Sequence, residues 1–160
     1  MQPVTDKIDE TRIVSASREI AADPADIFEL IADPAQQPRW DGNDNLAEAA
    51  AGQRVRARGD VFAMTLTNGA VRDNHVVEFV EGERIAWNPS EQGKEPPGHL
   101  WRWELAPGRE GRTLVTHTYD WTELTDEKRQ VRARATTDDK LAASLERLAQ
   151  LAEAGTNSAG

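Results

Sequence analysis

Apolar residues change their spacing three times along this chain, and each change marks a new kind of element. In "RIVSASREI", residues 12–20, Val14, Ala16 and Ile20 share one parity, which predicts a strand. "AADPADIFELIADP" follows with Ile27, Leu30 and Ile31 at helical spacing and Phe28 beside them. Asp23 stands as its N-cap, Pro24 takes the first helical position, and Pro34 ends the run. "AQQPRWDG" then leaves room for a second short helix or turn before Gly42. From Leu46 the period becomes two. In "QRVRARGDVFAMTL", Val55, Ala57 and Gly59 alternate with charged residues, but Phe62, Met64 and Leu66 occupy the other parity. That slip predicts a bulge or bend near Gly59. "TNGA" is a turn, and "VRDNHVVEFVEGERIAWNP" predicts two strands about "EGE". "HLWRWELAPG" and "RTLVTHTYDWTE" predict two more. Finally "TTDDKLAASLERLAQLAEAG" returns to helical period, with Leu141, Leu145 and Leu148 flanked by Ala142, Ala149 and Ala152. Thr136 or Thr137 would cap this helix, two aspartates suit its first turn, and Gly155 would end it.

The order is therefore strand, helix, short helix, about six strands in hairpin succession, and one long helix. It predicts an α+β fold in which a curved antiparallel sheet buries its concave side against the last helix. The space between them is either filled by side chains or kept as a ligand cavity, and the pattern admits both. Residues 12–155 are expected to form one domain, between a flexible N-terminus at 1–11 and a flexible tail at 156–160. No internal repeat or linker interrupts it.

Composition narrows the function more than the fold. The 160 residues suffice for one domain with a real core, and no apolar run is long enough to span a bilayer. No secretory signal pattern opens the chain, and with no cysteine there is neither a disulfide framework nor thiol chemistry, so a cytoplasmic location is expected. The net charge of −9 repels a phosphate backbone on average, so no nucleic-acid partner is expected. The basic "KRQVRARA", residues 128–135, runs against that trend and reads as a solvated helix or loop face, with a local anion patch as the alternative. No Gly-rich phosphate loop opens a helix, and no GxSxG elbow is present. The three histidines, His75, His99 and His117, lack a short metal-ligand spacing, so neither a metal nor another cofactor is expected.

The order of elements, with "IAADPADIFELIADPAQQPRWDG", "GDVFAMTL", "RIAWNP", "TYDWTEL" and "LAASLERLAQLAE", resembles the START-like (SRPBCC) superfamily in its polyketide cyclase/dehydrase-like branch. The resemblance runs from Ile13 to Ala154. It implies a helix-grip fold, in which a sheet of about seven strands grips the C-terminal helix over a cavity, with two short helices after the first strand. A tryptophan–aspartate pair recurs in such proteins where this chain has "RWDG". The basic "KRQVRARATT" departs from the apolar stretch that relatives often carry before the last helix.

Strand parity names the residues that would face such a cavity. His99, Trp101, Trp103 and Leu105 share a face, as do Val115, His117, Tyr119 and Trp121, and as do Asp73, His75, Val77 and Phe79. The expected ligand-binding wall is Phe62, Met64, His75, Trp101, Trp103, His117 and Tyr119, with Leu141 and Leu145 from the helix. Aromatics at period two serve equally as core or as ligand contacts. His117 and Tyr119 are the candidate catalytic pair, imidazole as base and phenol as donor, with Asp73 or His75 to orient the imidazole. Trp40 reads as an aromatic plug under the sheet rim with Asp41 capping the turn, against the alternative of a lid. The expected activity is binding of a hydrophobic or aromatic small molecule, lipid- or polyketide-like. The alternatives are a cyclase, aromatase or dehydratase using His117 and Tyr119, and a cavity-poor stress or interaction module. No integral membrane association is expected, and a homodimer stays open.

Overall fold

The computed structural model describes residues 11–159. The expectation for residues 1–11 therefore lies, apart from Thr11, outside the described residues. Strand β1 (Ile13–Ile20) leads into helix α1 (Pro24–Ala32) and a 3-10 turn (Pro34–Arg39). Six strands follow: β2 (Leu46–Glu48), β3 (Val61–Leu66), β4 (Val71–Val80), β5 (Arg84–Glu91), β6 (Leu100–Pro107) and β7 (Thr113–Asp120). Helices α2 (Glu127–Ala135) and α3 (Asp138–Ala159) complete the chain. All seven strands join one antiparallel sheet in the order β1-β7-β6-β5-β4-β3-β2. Every hairpin joins sequence neighbours, and β1 crosses the fold to pair with β7, Ile13 opposite Asp120.

Local chemistry sets the helix ends. Asp23 occupies the N-cap of α1 in extended conformation, but only its carbonyl serves there, accepting from Asp26 and Ile27. Asp33 does cap with its side chain, taking the Ala35 N–H at 3.2 Å, and Asp126 caps α2 through Lys128 N at 2.9 Å. The apolar stripe of α1 buries Ile27, Phe28 and Ile31 completely. On α3, Leu141, Leu145, Leu148, Ala149 and Ala152 are buried, while Ala142 is exposed. Gly155 does not end α3. It lacks the positive φ that a C-terminal glycine cap uses, and the helix continues to Ala159.

Two strand expectations need correction. Residues 53–58 form no strand. Val55 is buried there, but its N–H donates to Ala32 O at the end of α1 instead of joining a ladder. The parity slip is a turn at Gly59, φ +96°, closed by the Asp60 carboxylate on Arg56 N and Ala57 N. The second correction lies in β4. Its register shifts between Val76 and Glu78, so the residues before that bulge have the opposite parity from those after it. Phe79 points inward against Phe28, whereas Asn74 and Val76 take the inner positions upstream. Asp73 and His75 therefore lie on the convex face.

The buried side chains form two clusters on the concave side of the sheet. One unites α1, β5, β6 and the middle of α3 around Trp103, and the other joins Tyr119, Trp121 and Leu124 to Ala133 of α2 and Leu141 of α3. Among the described residues no helix is long and apolar enough to cross a membrane.

Candidate functional site

The β6–β7 hairpin builds the wall of the site. Its register sets Trp101 opposite Tyr119 and Trp103 opposite His117, all four on the concave face. The His117 ring lies 3.7 Å from Trp103 and 5.4 Å from Trp101, nearly parallel to both, so the two indoles sandwich the imidazole. Tyr119 lies 4.3 Å from Trp101, and Trp40 meets Trp103 edge-on at 5.0 Å. On the other flank, β5 contributes Trp87, paired with Trp101, and β3 and β4 contribute Met64 and Asn74. A cavity of about 390 Å³ opens between this wall, the turn at residues 37–46, α2 and the first turns of α3.

The turn is held rigidly. The Asp41 carboxylate accepts from the N–H groups of Asn43 (3.0 Å), Asn45 (3.0 Å) and Leu46 (3.2 Å). Trp40 is 4% exposed, and its indole N–H donates to Leu30 O at 2.8 Å. Gly42 then lets the turn lie directly on α3, where its N–H donates to Ser144 Oγ at 2.8 Å. A Cβ at Gly42 would stand 2.6 Å from Ser144 N and 2.7 Å from Lys140 O. Arg147 completes the clamp, donating to Asp41 O at 2.6 Å and to Asp44 Oδ1 at 2.7 Å. Trp40 is thus a fixed plug, and its ring is also part of the cavity wall.

Burial keeps the two histidines and the tyrosine of the aromatic wall neutral. His117 Nδ1 is 3.1 Å from the Arg102 carbonyl, which can only accept, so Nδ1 carries the proton and Nε2 the lone pair. Desolvation outweighs that bond and pushes the imidazole down from 6.5 to about 3. The Tyr119 phenol is pushed up to about 12 by burial. His99 is held down at about 4, first by burial and then by the positive fields of Arg129 and Arg72. Among the described residues two buried polar side-chain atoms find no partner: His99 Nδ1 and the indole nitrogen of Trp103. The described residues also supply none for the Tyr119 hydroxyl or for His117 Nε2. The wall is aromatic, uncharged, and tipped with unused hydrogen-bonding groups.

Of the residues expected from the sequence, Met64, Trp101, Trp103, His117 and Tyr119 line the cavity. Phe62 is buried behind it, edge-on to Trp87 at 5.3 Å. Leu141 and Leu145 are core residues beneath α3, each 1% exposed, and do not reach the cavity. His75 lies on the opposite face with Nε2 3.0 Å from Ser90 Oγ, and the Asp73 carboxylate accepts from Gly93 N. Neither can orient His117. The sequence reading missed Trp87, whose parity with Ile85 in "RIAWNP" was a usable signal. It also missed Arg72, Arg129, Arg132 and Lys140, which reach the cavity from β4 ahead of its bulge, from the docked α2 and from the first turn of α3. Among the described residues no three His, Asp or Glu gather as metal ligands.

A seven-stranded antiparallel sheet curled around a long C-terminal helix, with the space between them opening as a cavity, defines a START-like helix-grip protein. The chain belongs to the family described as polyketide cyclase/dehydrase and lipid transport, which it matches over residues 11–153. An uncharacterised protein of Mycobacterium tuberculosis is 29% identical over 115 residues, covering 68% of this chain and 47% of its own length. The chain thus spans about half the length of the curated relatives it matches. Among solved structures, the Aha1 dimer of Colwellia psychrerythraea superposes with a TM-score of 0.61 at 21% identity, covering 89% of this chain and 97% of that one. The major latex-like protein 151 of Panax ginseng gives 0.61 at 14%, covering 88% and 96%. At these identities the likeness is one of fold.

Proposed function

We propose that the chain binds a hydrophobic or aromatic small molecule, lipid- or polyketide-like, in the cavity between sheet and α3, and carries it without chemical change. The environment of His117 carries this reading. The ring is stacked between two indoles, tied to backbone by Nδ1, and 3% exposed, which makes it part of a flat aromatic surface. A base whose conjugate acid titrates near 3 is a poor proton acceptor at neutral pH. Among the described residues no carboxylate stands behind it to raise that value. Family membership and the cavity's size, within the usual range of roughly 300–1,000 Å³ for small-molecule sites, support the same reading.

An enzyme of the cyclase, aromatase or dehydratase kind is favoured by one observation: the Tyr119 hydroxyl and the His117 Nε2 lone pair, both without a partner among the described residues, line the same cavity. Tryptophan-fluorescence titration against a panel of lipids and flat aromatics, followed by product analysis, separates the two. The carrier reading expects saturable quenching, no turnover, and His117→Ala and Tyr119→Phe variants whose only defect is affinity. Turnover that disappears in both variants while affinity is kept would establish the enzyme. The proposal extends to a cytoplasmic location and leaves a homodimer to be tested by sedimentation, a state named for the Colwellia relative.

A further inference from the structure

We infer that the cavity's ligand is an organic acid, with a flat apolar body on the indole wall and a single anionic head at the cationic rim of α2 and β4. This inference rests on the ligand-binding reading above and names the chemistry of the ligand. The chain carries a net charge of −9, yet its cavity has the opposite sign. Arg72, Arg129, Arg132 and Lys140 line it against one carboxylate, Asp41, whose oxygens already accept three backbone N–H groups. Arg129 is paired with Glu91 at 2.6 Å and Asp126 at 3.5 Å. Arg72, Arg132 and Lys140 have no ion-pair partner among the described residues. Arg72 shares the field of Glu91, its cross-strand neighbour, with Arg129, which leaves the cations at the opening in excess of the carboxylates around them. Such an excess, in an acidic protein, is a poor arrangement for a neutral ligand and a good one for an anion.

A second observation points to the same end of the cavity. His99 Nδ1 is buried there without a hydrogen-bond partner. Arg72 and Arg129 lie close enough to His99 to add to the fall of its pKa, so the ring stays neutral and can offer an N–H to an anionic oxygen. The helix face that presents Arg129 and Arg132 follows from their spacing of three. The basic run that stands in place of an apolar stretch thus supplies the polar end of an amphipathic site.

Two probes that share one skeleton test this: 1-anilinonaphthalene-8-sulfonate, which is anionic, and N-phenyl-1-naphthylamine, which lacks the sulfonate. The intact chain should bind the sulfonate about tenfold or more tightly than the amine, the scale of one charge-assisted contact. Arg72→Gln with Arg132→Gln should remove most of that preference and leave amine binding within about twofold. Raising the salt from about 0.05 to 0.5 M should weaken the sulfonate alone, which needs no variant to fold. Equal affinity for both probes, insensitive to salt, overturns the inference while the cavity reading stands. Binding of neither probe overturns both.

Discussion

At the scale of single residues, His117 and Gly42 make the strongest demands. The imidazole titrates near 6.5 when unfolded and near 3 in the fold, so between those values the unfolded chain holds a proton the native chain lacks. The stability due to this difference is present in full above pH 6.5 and is lost as pH falls towards 3. His99, held down at about 4, acts in the same direction. Between pH 6.5 and about 5.5 nearly all the carboxylates are ionised in both states, so the slope of stability in that window belongs mainly to the buried histidines. It should reach at most about 1.4 kcal/mol per pH unit for each. Urea denaturation across the window should show the slope, and His117→Phe should roughly halve it. Gly42→Ala would force the turn off α3, because the new methyl meets backbone on two sides. We expect a loss of about 1–3 kcal/mol in denaturation and faster escape of bound ligand. Neither effect was legible in the sequence. Parity placed His117 on the right face, but the stack on both sides of it needs the β6–β7 register. Gly42 appeared only as a turn residue, since nothing local shows that a helix a hundred residues away lies against it.

Among the elements, legibility follows how regular each one is. β6, β7 and α3 keep one period throughout, and apart from the exposed Ala142 their inner residues lie where that period puts them. β4 carries a bulge, and a single unpaired residue there moved His75 and Asp73 from the expected wall to the convex face. Residues 53–58 alternate like a strand but are held by α1 and by the Asp60 turn, so the pattern alone could not tell a ladder from a docked loop. α2 is polar on nearly all its surface, with only Ala133 buried, and its place at the cavity rim is a tertiary fact. The grip itself is measurable at Leu145, which is 1% exposed in the core and lies outside the cavity lining. Leu145→Ala should therefore cost the full amount for a packed leucine, about 2–5 kcal/mol by chemical denaturation. A loss well under about 1 kcal/mol would mean that α3 does not close the core as described.

For the whole molecule, order of elements was enough to give the architecture, because strand–helix–strands–helix with hairpin spacing admits few other packings. The cavity's charge was not legible, since it is assembled from residues on β4, α2 and α3 that no window of sequence brings together. A ligand that binds only the folded state should stabilise it by about 2.7 kcal/mol at a hundredfold excess over Kd. For a chain of this size that is a rise in Tm of about 5–10 °C, readable by calorimetry. The pairing of β1 with β7 also bears on how the protein is made. Ser17 and Thr116, whose hydroxyls bond across those strands at 2.9 Å, are separated by 99 positions. On a translating ribosome, β1 emerges well before its neighbour exists, and the hairpins from β3 to β7 can close without it. Its outward side chains Ser15, Ser17 and Glu19, with Arg18 beside them, keep the waiting strand soluble and unattractive to other unpaired edges. The first strand of the domain to be synthesised can therefore find its sheet partner only after the last strand has been made.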